Sequence, residues 1–179
     1  MVRAFVALEL SEEIRLRLSE SQILLKGCSA RMTWVEPGNI HITVKFLGEV
    51  ENIKIPDVKA ALSSIAFGPF SISTGTITVN DPRRPFTVWC GIDDKGRGSE
   101  LMHRVDDVLV PLGFIREKRR FTPHATVARV KRFDPSLMEA LKSLSGRTYG
   151  SCMVTGMKLK KSTLAPQGPV YEDLLEVVW

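Results

Sequence analysis

Two periods of apolar and polar residues run along the chain and predict its elements. Residues 3–10, RAFVALEL, read as a strand. Ser11 then stands where a helix cap is needed, Glu12 and Glu13 suit the positive end of the helix, and Ile14, Leu18 and Leu25 keep helical spacing to about residue 26. The stretch RMTWVEPGNIHITVKFLG at 31–48 predicts two short strands joined by a Glu-Pro-Gly-Asn turn. Ile55, Val58, Leu62 and Ile65 mark a second amphipathic helix. FSISTGTITVN (70–80) and FTVWCGI (86–92) are β-rich, with a break at DPRRP (81–85). Leu101, Val105, Val108 and Leu112 form one face of a third helix, FTPHATVARV (121–130) is another strand, and Asp134-Pro135 starts a helix carrying Leu137, Leu141 and Leu144. From Cys152 to Trp179 the alternation predicts two more strands.

Strands and helices are therefore mixed and hairpin-like pairs recur, which predicts an α+β fold with mainly antiparallel sheet. Two stretches share a frame: HITVKFLG at 41–48 and HATVAR at 124–129, each on a strand with an amphipathic helix downstream. A weak internal duplication follows. The expected architecture is one bilobal domain over residues 1–179, with two similar lobes, each a mainly antiparallel sheet with flanking helices, related by a pseudo-twofold axis with a cleft between them.

Composition narrows the function classes. A net charge of +5 and a pI near 9.3 favour an anionic partner. No apolar run approaches the roughly 18 residues of a membrane span, and the first ten residues do not resemble a secretory leader, so a cytoplasmic protein with no membrane partner is expected. Cys28, Cys90 and Cys152 are odd in number and form no CxxC pair, which predicts reduced thiols. Neither a P-loop, nor G-x-G-x-x-G, nor G-x-S-x-G is present, and Glu36 and Glu49 make no recognisable metal spacing with the histidines, so no metal and no cofactor are expected.

The chain has three histidines, and two open the same His-x-Thr-Val frame. In a strand, alternate side chains share a face, so His41 and Thr43 point together, with Lys45 beside them, while Ile42, Val44 and Phe46 face a core. His124 and Thr126 pair in the same way. If the two strands flank one cleft, the arrangement suits in-line displacement at phosphorus. One neutral imidazole takes a proton from the attacking oxygen, the other protonated imidazole gives one to the leaving oxygen, and the threonine hydroxyls donate to the non-bridging oxygens. The residues alone leave the direction of proton transfer open. His103 lies on the polar side of its helix and is expected to be a surface residue.

At these residues the sequence resembles the two-histidine (2H) phosphoesterases, and within them the RNA 2′,3′-cyclic phosphodiesterases, also called 2′-5′ RNA ligases. His41 through Gly48 match a motif His-x-Thr-x-x-Phe-Leu-Gly, and Pro123 through Arg129 match Pro-His-x-Thr-(Leu/Val)-Ala-Arg. The resemblance implies a bilobal α+β fold and hydrolysis of RNA 2′,3′-cyclic phosphate ends to 2′-phosphate ends, with joining of RNA ends through a 2′-5′ linkage as a further activity. It assigns His41 as general acid, His124 as general base, and Thr43, Thr126 and Arg129 to the substrate. Strict alternation from His124 puts Arg129 on the opposite face unless a twist or bulge redirects it.

Trp34 and Phe46 are candidates for stacking on a base, although alternation assigns Phe46 to the core. The basic run REKRR at 116–120 leads directly into the second frame, either as a solvated loop or as a contact to a phosphate backbone. Two other functions remain open on the residues: a phosphodiesterase of small cyclic phosphates or 2′-5′ oligonucleotides, and a non-catalytic RNA-binding module. Protein partners and the natural RNA are not legible.

Overall fold

The computed structural model describes residues 1–166 and 168–179. The chain opens with strand β1 (Val2–Glu9), then helix α1 (Glu12–Leu25), whose first turn is capped by the Ser11 hydroxyl accepting from the Ile14 amide at 3.3 Å. Strands β2 (Arg31–Trp34) and β3 (His41–Val50) follow, separated by a 3₁₀ turn at Pro37–Asn39. Helix α2 (Ile55–Ser63), strands β4 (Phe70–Val79) and β5 (Thr87–Asp93), and helix α3 (Arg97–Leu109) lead to strand β6 (His124–Arg132). Helix α4 (Ser136–Lys142) and strands β7 (Ser151–Val154), β8 (Gly156–Ala165) and β9 (Gly168–Val178) complete the chain.

All described pairings are antiparallel, in the order β7-β4-β5-β6-β3-β1-β8-β9 with β2 on the far end of β6. The predicted α+β class is what forms. Two details differ from the reading of the sequence. β2 and β3, adjacent in sequence, do not pair, because the 3₁₀ turn sends β2 to β6. The C-terminal stretch holds three strands rather than two, with only Thr155 between β7 and β8.

The expected twofold relation is visible in the strand order. β1 and β3, with α1 and β2 between them in the chain, and β5 and β6, with α3 between them, are both pairs of antiparallel neighbours. The pairs meet where β3 touches β6, at the register pair Ile42↔Ala125. Ile42, Val44, Ala125 and Val127 are buried there with Leu18 of α1 and Leu101, Val105 and Leu109 of α3. The same interruption occurs in both halves. β3 carries a bulge between Thr43 (opposite Ala7) and Lys45 (opposite Val6), and β6 carries one between Thr126 (opposite Trp89) and Ala128 (opposite Val88). An extra residue in one strand shifts the alternation of everything after it. Accordingly Val44 and Lys45 are both buried in succession, as are Val127 and Ala128.

Among the described residues no helix is long and apolar enough to cross a membrane. Asp134 accepts from the Ser136 amide at 3.0 Å ahead of α4, as the Asp-Pro signal predicts. His103 is exposed on α3, also as expected.

Candidate active site

The two frames run antiparallel through the centre of the sheet. β3 and β6 meet at the single register pair Ile42↔Ala125, one residue along the chain from each histidine. All four side chains are half-buried on the face away from the helices. The two imidazoles are therefore carried on adjoining strands anchored in the core.

Both rings are held by the same bond. The Nδ1–H of His41 donates to the Asn39 carbonyl at 2.7 Å, and that of His124 to the Thr122 carbonyl at 2.7 Å. A carbonyl only accepts, so each Nδ1 keeps its proton and each Nε2 is the atom that gains and loses one. His41 Nε2 lies 3.1 Å from the Thr43 hydroxyl oxygen.

Aromatic walls surround the rings. Phe5 stacks on His41 with centroids 5.0 Å apart, and Tyr171 meets its edge at 5.4 Å. Trp89 lies 4.1 Å from His124. Burial against these walls disfavours the charged imidazolium and lowers both pKa values below the usual histidine range. The carbonyl bonds pull both back up. The fixed charges differ. The carboxylate of Glu9, which is paired with His41 across β1 and β3, favours a charged His41, offset in part by Lys160. At His124 the nearby charge is the guanidinium of Arg129, which disfavours its protonation. The His124 charge is also felt at His41, so the two rings share one field.

Comparison with known proteins gives the family. The family model described as LigT-like phosphoesterase matches residues 8–89 and 93–171, two spans that each hold one His-x-Thr frame. The chain belongs to the LigT-like phosphoesterases. It is similar to a protein of Archaeoglobus fulgidus named RNA 2′,3′-cyclic phosphodiesterase, at 38% identity over 174 residues, covering 97% of this chain and 98% of that one. A Methanothermobacter thermautotrophicus protein of the same name is 37% identical over 178 residues, covering 97% and 96%. Among solved structures, TT0787 of Thermus thermophilus superposes with a TM-score of 0.82 at 26% identity, covering 98% of this chain and 97% of that chain. Escherichia coli LigT complexed with 3′-AMP shares the fold, with a TM-score of 0.79 at 23% identity, covering 99% and 97%.

Within this LigT-like phosphoesterase the bulges re-sort three side chains whose faces alternation assigned. After the bulge in β6, Arg129 is exposed, and its charge acts on both His124 and Tyr171. It therefore lies on the histidine face, where strict alternation did not put it. Phe46, at the corresponding place after the bulge in β3, is 69% exposed and 6.1 Å from Phe5. The expectation that it faces the core is overturned. Lys45 moves the other way. Instead of sharing the His41 face it is 8% exposed, and its ammonium pairs with Asp106 of α3 at 2.5 Å. Trp34 is half-buried on β2 opposite Ala128, with the Lys26 ammonium 5.6 Å from its ring, so it packs rather than facing the histidines.

Several contributors escaped sequence reasoning. The carbonyls of Asn39 and Thr122 act through the backbone and leave no residue-type signal. Phe5, Trp89 and Tyr171 sit on three other strands and meet the histidines only through register. Gln22 of α1 is buried and donates to the Val127 carbonyl at 3.0 Å and the Val35 carbonyl at 2.8 Å, holding the bulge of β6 from behind. Its signal was a glutamine on the buried side of an amphipathic helix. Cavities of about 340 Å³ beside Arg17 and Arg147, and about 180 Å³ between Glu9 and Gly156, lie elsewhere. The histidine pair occupies a sheet face instead.

Proposed function

We propose that this chain hydrolyses RNA 2′,3′-cyclic phosphate ends to 2′-phosphate ends, by general acid–base catalysis between His41 and His124 and without a metal ion. The observation that carries the reading is the pair of Nε2 atoms, each freed by an Nδ1–carbonyl bond, on two strands that meet one residue from each histidine. In the step, His124 Nε2 takes a proton from water as its oxygen attacks phosphorus. The P–O3′ bond breaks, His41 Nε2 gives its proton to O3′, and the products are a 2′-phosphate and a 3′-hydroxyl. The Thr43 and Thr126 hydroxyls and the Arg129 guanidinium hold the non-bridging oxygens.

The charges around the rings support this direction. A general acid must arrive protonated, and the Glu9 carboxylate favours that at His41. A general base must arrive neutral, and Arg129 favours that at His124. With an RNA 5′-hydroxyl in place of water, the same two proton transfers give a 2′-5′ linkage, so joining of ends is a second outcome of the proposed site. A cytoplasmic setting agrees with three free cysteines at positions 28, 90 and 152.

The test is an RNA oligomer ending in a 2′,3′-cyclic phosphate, incubated with the protein in excess EDTA, with the product end mapped by phosphatase and mass. A 2′-phosphate is expected. A 3′-phosphate, or a requirement for added metal, overturns the reading.

A further inference from the structure

Residues 113–123 join α3 to β6, and the structure pins this loop at two places around an exposed basic tip. Gly113, at φ +90°, turns the chain out of the helix. The first pin is the buried pair formed by Lys45 and Asp106, whose side chains are 7% and 0% exposed. Besides binding each other, Lys45 donates to the Ile115 carbonyl at 2.8 Å and Asp106 accepts from the Glu117 amide at 3.0 Å. The second pin is Phe121, half-buried against Gly98 so closely that a Cβ there would sit 2.5 Å from its ring. Between the pins, Lys118, Arg119 and Arg120 are all exposed. Arg116 is paired with Asp107 at 2.7 Å and Arg119 lies 3.6 Å from Glu117, whereas Lys118 and Arg120 have no acidic partner among the described residues.

Desolvating two charges costs more than packing apolar residues of the same shape, so a buried pair is a poor device for stability alone. Here both partners spend their remaining hydrogen bonds on the backbone of one loop. The bulge of β3 turns Lys45 inward to do so. Arg120 stands four positions before His124 and Lys118 six, and at most ~3.6 Å per residue this keeps the backbone of the tip within roughly 14 to 22 Å of His124. That reach covers the phosphates next to a reacting end.

We propose that Lys118, Arg119 and Arg120 form a contact surface for the phosphate backbone of the RNA strand that carries the reacting end, with Lys45 and Asp106 as positioning residues that present it. The proposal rests on the RNA-end reading above and adds to it a preference for polymer over cyclic mononucleotide.

The experiment compares kcat/KM for a 2′,3′-cyclic phosphate RNA oligomer with that for a 2′,3′-cyclic mononucleotide. It also follows binding of a 3′-hydroxyl RNA oligomer by fluorescence anisotropy as salt is varied. In the triple variant Lys118→Gln, Arg119→Gln, Arg120→Gln, the ratio of the two kcat/KM values falls at least tenfold. The slope of log affinity against log salt shrinks by about 2, as expected for three lost contacts to a single strand. The double variant Lys45→Met, Asp106→Leu keeps the packing apolar and the tip charges intact, and lowers the ratio by a similar factor. Removing three charges at the far end of the strand (Arg31→Gln, Lys131→Gln, Arg132→Gln) leaves the ratio well above that of the triple variant. An unchanged ratio and slope in the tip variant overturns the contact surface. Equal losses at both ends of β6 overturn it too, and an unchanged ratio in the double variant overturns the positioning role. If the wild-type protein opens neither cyclic phosphate, the RNA-end reading fails, and the anisotropy slopes still decide whether the tip binds RNA.

Discussion

Replacing Arg129 by methionine tests the consequence of the β6 bulge. The guanidinium is exposed on the histidine face, and its charge reaches His124 and Tyr171. A hydrogen bond to a charged group is worth about 1.5–3 kcal/mol, and solvent exposure puts this one at the lower end. At about 1.5–2 kcal/mol, kcat/KM on a cyclic phosphate falls roughly 10- to 30-fold, at about 1.4 kcal/mol per decade. A second effect has a fixed sign. Arg129 disfavours protonation of His124, so removing it lets His124 hold its proton to higher pH. The acidic limb of the rate profile, where the base must be neutral, therefore moves up. Arg129→Lys keeps the charge but not the planar fork, and recovers the pH limb more fully than the rate. Stability changes by no more than about 0.5 kcal/mol, as for other exposed positions. Steady-state kinetics between pH 4 and 9 with a cyclic phosphate substrate decide the matter. A variant within twofold of wild type, or an acidic limb that moves down, refutes the placement of Arg129 in the site.

Three further outcomes follow from the geometry. Burial lowers both histidine pKa values, so the bell-shaped kcat/KM profile of the free enzyme centres below pH 6.5; because a bound phosphodiester anion raises both, the kcat profile centres higher, and a kcat/KM maximum above pH 7 contradicts the buried rings. Lys45→Met leaves the Asp106 carboxylate buried without its cation and costs about 3–5 kcal/mol by urea unfolding, most of it recovered when Asp106→Leu is added. Gly98→Ala places a Cβ 2.3 Å from Asp94 Oδ2 and 2.5 Å from the Phe121 ring, so both shift, stability falls by about 1–3 kcal/mol in thermal melts, and kcat falls because Phe121 lies three residues ahead of His124.

Much of this was legible in the sequence, for physical reasons that can be named. The two His-x-Thr frames stand out because histidine is rare in the chain and a strand puts residues i and i+2 on one face. The Ser11 cap and the Asp134-Pro135 start are local signals, and both helices begin where they indicate. The bulges were not legible. They arise from a mismatch in residue count between partner strands, and no single strand shows that mismatch. Lys45 and Phe46 were misassigned for this one reason, and whether Arg129 follows strict alternation or is redirected by a bulge was left open for the same reason. The pairing of β2 with β6 was hidden in the same way, since sequence adjacency favoured β3. Lys45 illustrates the limit: as a letter it is a solvated cation, and only Asp106, 61 positions away, makes it a buried one.

The most direct test of the two-histidine pair uses a cyclic phosphate whose 3′-oxygen is replaced by sulfur. A thiolate leaves without a proton, so the general acid becomes dispensable while the general base does not. On the ordinary oxygen substrate, His41→Ala and His124→Ala should each lower kcat by at least ~10²-fold, the usual contribution of one positioned acid or base. On the sulfur substrate His41→Ala should regain most of that loss and His124→Ala should regain none. Rescue of His124→Ala instead reverses the proposed direction, and near-wild-type turnover of either variant on the oxygen substrate contradicts the mechanism altogether.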